Sequence, residues 1–277
     1  MKTVFLCAFL CLFAMLEVES KAQSLEYSWA KNAGGTQTET AYGVTADASG
    51  NVIVVGTFYS ASISFGNLSL YKADSTAASM FVAKYSPQGD IMWAKRASTP
   101  SAYKETYGYA VTTDVDGNIY LSGDLWGDTI GFDSQTIVLP PPYQQASFLV
   151  KYDADGNFIW AQMGLGGRDA RTVAIDGNGE LYVSGIFNNE INFDNHLIQS
   201  TGACYGIFLA KYDVQGLFLW AKASHYSFAG SGTPDAASRA LCTDLNNDVY
   251  VAGYFGSDTL LFDDHYVTNT YSVRNVF

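Results

Sequence analysis

Positive charge is scarce: 15 lysines and arginines stand against 27 aspartates and glutamates, a net charge of -12. A phosphate backbone is gripped by clusters of basic side chains, and the chain has no such cluster, so nucleic acid is excluded as a partner. Cysteine is scarce too. Of the four, Cys7 and Cys11 fall in the first 22 residues, while Cys204 and Cys242 stand outside any Cys-x-x-Cys or Cys/His spacing. That excludes a zinc module and a disulfide-knit scaffold. The two later cysteines either pair in an oxidising compartment or stay as buried thiols. His196, His225 and His265 belong to different loops, and no Gly-x-Ser-x-Gly occurs, so no metal site, cofactor or serine nucleophile is expected. Helical spacing of apolar residues is nowhere sustained. The one long apolar run covers residues 3–16.

That run follows Lys2 and precedes Ser20-Lys21-Ala22, which is the order of a secretory leader: charge, apolar stretch, small-x-small cleavage site. Fourteen residues are too few for a membrane span of roughly 20. Leucine precedes both Cys7 and Cys11, where a lipidation signal wants a small residue. The expectation is a signal peptide over 1–22, cut after Ala22, and a secreted or cell-surface chain over 23–277 with no transmembrane segment. The leader removes two basic and two acidic residues, leaving 13 against 25 and the same net charge.

What is present is a repeat. MFVAKYSPQGDIMWAK at 80–95 returns as SFLVKYDADGNFIWAQ at 147–162 and IFLAKYDVQGLFLWAK at 207–222, with nine residues each time from Lys84, Lys151 or Lys211 to Trp93, Trp160 or Trp220. Self-similarity on such a period means one supersecondary unit stacked side by side. Each unit opens with an apolar-polar alternation that ends in an aspartate: Asp47, Asp114, Asp176 and Asp244. Period two reads as a strand. Nine residues on stands a glycine (Gly56, Gly123, Gly185, Gly253), reached through the β-branched and aromatic runs NVIVVG, NIYLSG, ELYVSG and DVYVAG. This is a second strand after a tight turn, where the aspartate caps and Gly50, Gly117, Gly179 or Asn247 accepts positive φ. A phenylalanine follows (Phe65, Phe132, Phe193, Phe262), then another that opens a third strand (Phe81, Phe148, Phe208). A turn at Gly89, Gly156 or Gly216, with Pro87 preset at its second position, leads to a fourth strand carrying the tryptophan.

The fold class is therefore all-β: a β-propeller of four-stranded antiparallel blades, whose radial packing covers sheet faces that one blade cannot bury alone. The units span about 41–97, 108–164, 170–223 and 237–277. Each tryptophan is expected to plug the space between blades, its indole N–H finding a backbone acceptor. Trp29 opens a Trp-Ala-Lys that matches a fourth strand with no first three before it, and Phe277 stands where a third strand begins. The expectation is an incomplete propeller of about three and a half blades, truncated at the C-terminus, with an orphan strand at the start that closes the ring in the last blade.

The set DVDGNIYLSG at 114–123, FLVKYDADGNFIWAQ at 148–162 and FLAKYDVQGLFLWAK at 208–222 resembles the β-propeller repeat of the SBBP type, found in secreted bacterial proteins, particularly of Bacteroidetes. The resemblance covers residues 27–277. It implies a fold, an export route and an extracellular or surface role, and no catalytic residues.

Aspartate-rich turns such as Asp153-Ala-Asp155-Gly156-Asn157 begin like an EF-hand loop but run into a strand too soon for twelve-residue coordination, so they read as capped turns. His196 and His265, each three residues after the repeated phenylalanine, read as loop surface. Function is sought where the units differ. Five residues before the first aspartate stand Tyr42, Tyr109, Arg171 and Arg239; first strands line a propeller channel, so these four would ring one mouth with aromatic and cationic groups. Trp126 and Tyr143 are further exposed candidates. The expected role is a non-enzymatic scaffold or recognition module for glycan or protein. The alternatives are a purely structural adhesion module and a polysaccharide enzyme, which needs carboxylates converging at that mouth: Glu39, Glu105, Asp169 or Asp235.

Overall fold

The computed structural model describes residues 28–72, 77–99, 104–200, 205–227, 236–269 and 274–277. The leader, Cys204 and Asp235 lie outside them. In the first unit β1 (Glu39–Ala46) and β2 (Val52–Phe58) form a hairpin, β3 (Ser62–Phe65) and β4 (Leu68–Tyr71) form a smaller one, and β5 (Ser79–Tyr85) with β6 (Ile91–Ser98) complete a β1-β2-β5-β6 blade. The second unit repeats the plan with β7 (Glu105–Thr113), β8 (Ile119–Trp126), the small hairpin β9 (Thr129–Phe132) and β10 (Gln135–Val138), β11 (Gln145–Tyr152) and the first part of β12 (Phe158–Ile175). β12 then runs on as the first strand of the third unit. There β13 (Leu181–Phe193) is both second strand and one arm of the small hairpin with β14 (His196–Gln199), and β15 (Tyr205–Tyr212) and β16 (Phe218–Ala223) finish the blade, extended by β17 (His225–Ser227). The fourth unit has β18 (Ala236–Thr243), β19 (Val249–Phe255), β20 (Thr259–Phe262), β21 (His265–Thr268) and β22 (Asn275–Val276), which pairs with β19. The fold is all-β and antiparallel, as expected for propeller blades. No helix of the described residues is long and apolar enough to cross a membrane.

The small hairpin was not anticipated, because four-residue arms show no readable alternation. It ties each blade to the preceding one. Ala97 at the end of β6 pairs with Phe132 in β9, Gly164 in β12 pairs with Phe193, His225 pairs with Leu261, and Gly34 of the orphan segment bridges to Ser64. Trp29 therefore seats against the first blade.

The turns are capped as expected. Asp47 Oδ1 accepts from the backbone N–H of Ser49 and of Asn51, both at 2.9 Å, while Oδ2 accepts from Asn51 Nδ2 at 2.8 Å. Asp114 and Asp153 repeat the arrangement, and Asn247 takes the glycine's role at φ +67°. Each of these carboxylates caps its own turn.

The core lies between blades. Ile53, Val55, Met80 and Val82 of the first interdigitate with Ile119, Leu121, Phe148 and Tyr152 of the second, and Tyr120 and Leu149 join Val183, Phe208 and Tyr212 of the third. The tryptophans mark the seam. Trp29 Nε1 donates to the Pro87 carbonyl at 3.1 Å, Trp93 to Ala154 at 3.3 Å and Trp160 to Val214 at 3.3 Å, each acceptor lying in the next blade's second turn. The turn glycine is needed for this approach: a Cβ on Gly156 would fall 2.8 Å from the Trp93 ring. The lysine of the repeat completes the clamp. Lys84 Nζ donates to the same Ala154 carbonyl at 3.0 Å and Lys151 to the same Val214 carbonyl at 3.1 Å, so one carbonyl takes two donors from the neighbouring sheet. Lys151 also lies over the Tyr120 ring at 5.0 Å. In the first unit Ile53 replaces that tyrosine, and Lys84 pairs with Asp47 at 2.9 Å instead, with only 3 and 5 % of the two side chains exposed. Burial works to raise the Asp47 pKa; hydrogen bonds from Asn51 and Lys84 outweigh it and hold the carboxyl below its ordinary value.

Candidate functional site

First strands of successive blades, β1, β7, the second part of β12, and β18, lie side by side. All four carry a bulge, and the four residues singled out from the sequence occupy it. Tyr42 is the extra residue between Ala41 and Gly43, Tyr109 lies between Gly108 and Ala110, and Arg239 between Ser238 and Ala240. In the third unit the bulge is larger: residues 169–171 together face the single Gly185. A bulge re-aims its side chain away from the sheet, which is why these positions escape the repeat's packing pattern.

Three of the four residues meet. The Tyr42 ring, 47 % exposed, abuts Tyr109 edge-on with centroids 5.4 Å apart, and the Arg171 guanidinium lies over the Tyr109 ring at 4.7 Å. Tyr109 differs from expectation in being buried, 8 % exposed, since Tyr42, Arg171 and the stacked Tyr107 ring (6.0 Å) cover it. Arg239 stands apart on its own blade, with Nη2 donating to the Tyr254 hydroxyl at 3.3 Å.

The larger bulge also brings two carboxyl groups together. Asp169, at φ +47°, takes Arg171 Nε at 3.2 Å and Nη2 at 2.8 Å on Oδ2, and the Tyr109 hydroxyl at 3.3 Å on Oδ1. Asp124, at the end of β8, has no exposed surface. Its Oδ2 accepts from Trp126 Nε1 at 3.0 Å and from the Asp169 N–H at 3.4 Å, while Oδ1 has no partner. Burial, followed by the Asp169 charge, pushes the Asp124 carboxyl up to about 7, against the opposing bonds from Trp126 and the Asp169 N–H. Burial and the same two carboxylates raise the Tyr109 hydroxyl well above its usual range. Burial disfavours the Arg171 charge, but the bonds to Asp169 more than offset this and raise its pKa.

Asp124 escaped the sequence reading, although a signal was there. The residues following the repeated glycines are Thr57, Asp124, Ile186 and Tyr254, and only one of them is a strong acid. Trp126 is 39 % exposed as expected, and Arg168, three residues before Arg171, lies over its ring at 4.2 Å. Tyr143 instead packs against the interblade core. Of the other acidic candidates, Glu105 Oε2 accepts from the Tyr107 hydroxyl at 2.8 Å and Glu39 accepts from Ser60. His196 and His265 are exposed in the small hairpins, in keeping with loop surface. Cys242 is exposed and unpaired, which departs from both readings made of it: as an edge residue of a bulged first strand its side chain faces outward.

A separate cavity of about 270 Å³ opens between the third and fourth blades, lined by Ile207, Phe208, Val249, Val251 and Phe277. Its charged residues, Lys222 and Asp263, pair with each other.

No family model matches the chain. It is 30 % identical over 197 residues, 64 % of its length, to an uncharacterized WD repeat-containing protein of Acanthamoeba polyphaga mimivirus, and it spans 14 % of that relative.

Proposed function

We propose that the chain is a non-enzymatic propeller scaffold whose bulged rim, running from Tyr42 through Tyr109 and Arg171 to Trp126 and Arg168, recognises a protein or glycan partner. The observation that carries this reading is the contact of Tyr42, Tyr109 and Arg171 across three blades, since side chains that the repeat does not need for packing converge at one place. The relative's description as a WD repeat-containing protein favours a protein partner over a sugar. Export after cleavage at Ala22 and the SBBP-type repeat belong to the same proposal, supported by the leader pattern and the three motif copies.

Convergence of Asp124 and Asp169 favours one competing reading, a polysaccharide enzyme. Acid catalysis needs a carboxyl within hydrogen-bond reach of the scissile oxygen, and Asp124 has no exposed surface; the pair serves the rim from beneath. The test is an array of peptides and glycans probed with the full chain and with Tyr42→Ala. Retention of one ligand class that the variant loses supports recognition. Identical profiles, or release of reducing ends from a polysaccharide, refute it.

A further inference from the structure

Other basic side chains already have carboxylate partners: Lys95 with Asp133, Lys104 with Asp128, and Arg171 with Asp169. Among the described residues Arg168 has none within ion-pairing distance, in a chain of net charge -12. Its guanidinium lies over the rings of Trp126 at 4.2 Å and Tyr205 at 5.6 Å. A single hydrogen bond, from Nη1 to the Tyr205 hydroxyl at 3.1 Å, holds it there, and its Nε is buried without a partner.

We propose that Arg168 is a carboxylate receptor, taking one aspartate or glutamate side chain of an otherwise uncharged partner peptide. Contact with two rings restrains the planar fork before a ligand arrives, so little side-chain freedom remains to be lost on binding, and a partly dehydrated guanidinium gains more from a carboxylate than a solvated one does. Arg171 cannot take this role, because Asp169 occupies its Nε and Nη2.

The surroundings limit the ligand to one charge. Glu105 faces Trp126 across the β7–β8 ladder, and Asp169 adjoins Arg168 in sequence. A second negative group on the ligand would meet these carboxylates, which disfavours phosphate and polyuronate. The half-exposed Trp126 offers apolar contact to the residues flanking the bound carboxylate.

This assignment rests on the rim being a recognition site, and its test separates the two. The full chain, labelled with 15N-arginine, is titrated with acetyl-Gly-Asp-Gly-amide, with its asparagine counterpart, and with trigalacturonate. The Arg168 Nε–H signal, identified by its loss in Arg168→Lys, is expected to shift saturably with the aspartate peptide, with an affinity about tenfold above that of the other two probes. Arg168→Gln should abolish saturation and Arg168→Lys weaken it severalfold, since an ammonium lacks the fork. Equal shifts with the aspartate and asparagine peptides, tighter binding of trigalacturonate, or unchanged affinity in a folded Arg168→Gln protein would overturn the assignment. The wild-type titration stands even where a variant fails to fold. If array ligands lost by Tyr42→Ala are indifferent to Arg168→Gln, the receptor assignment alone fails; if Tyr42→Ala changes nothing, the recognition reading fails.

Discussion

Replacing Asp124 by asparagine should change how the protein's stability depends on pH. The folded carboxyl titrates near 7 and the ordinary value is 3.8, so between these two the unfolded chain has lost a proton that the folded chain keeps. The sign follows from linkage: stability due to this group is fully present below about pH 3.8 and is lost as pH rises through about 7. One proton corresponds to about 1.4 kcal/mol per pH unit, or roughly 4 kcal/mol across the whole window. Asparagine is nearly isosteric, and its carbonyl can accept from Trp126 and the Asp169 N–H. Guanidinium denaturation of both proteins from pH 5 to 9 is the assay. The wild type should lose about 1.4 kcal/mol per unit more than Asp124→Asn up to pH 7, with the difference constant above about pH 8. Acids away from this site, including the depressed Asp47, are common to both chains and cancel. Parallel curves would refute a buried protonated carboxyl at this site.

Three further outcomes test the interblade seam by the same unfolding assay. Lys84→Met leaves Asp47 buried without its cation, and should cost about 3–5 kcal/mol; a loss below about 1 kcal/mol would mean that the pair is solvated. Gly156→Ala should cost about 2–4 kcal/mol, from positive φ together with crowding of Trp93, whereas Gly117→Ala, whose Cβ would meet nothing nearer than 3.5 Å, should show only the backbone part, about 1–2 kcal/mol. Equal losses would contradict tryptophan docking. Trp160→Phe and Lys151→Met each leave the Val214 carbonyl one donor, so the double variant should lose more than the two single losses combined; simple additivity would show that the carbonyl does not depend on them.

Much of the fold is legible because the repeat states each requirement several times over. Alternation placed the first and second strands, and the Asp-x-x-Gly turns and Pro87 placed the bends, since these signals are local. The small hairpin was illegible: Ser62–Phe65 and Leu68–Tyr71 are too short to show a period, and their pairing with the preceding blade depends on contacts distant in sequence. At the site, comparing units picked out Tyr42, Tyr109 and Arg171, and the structure joins them. Arg239 shared their register and is separated from them, because the wider bulge of the third unit turns Arg171 towards Tyr109, whereas Arg239 rests on Tyr254 of its own sheet.

By itself the sequence determined that this chain folds into like units of antiparallel strands packed face to face, because periodic glycines, aromatics and capping aspartates are requirements met within one unit or at its seam. Only the tertiary structure decided which polar groups share a site. Asp124 and Asp169, Arg168 and Trp126, and Tyr42 and Tyr109 are distant along the chain, and their partnership arises where bulged first strands of neighbouring blades turn side chains out of the pattern that the repeat imposes.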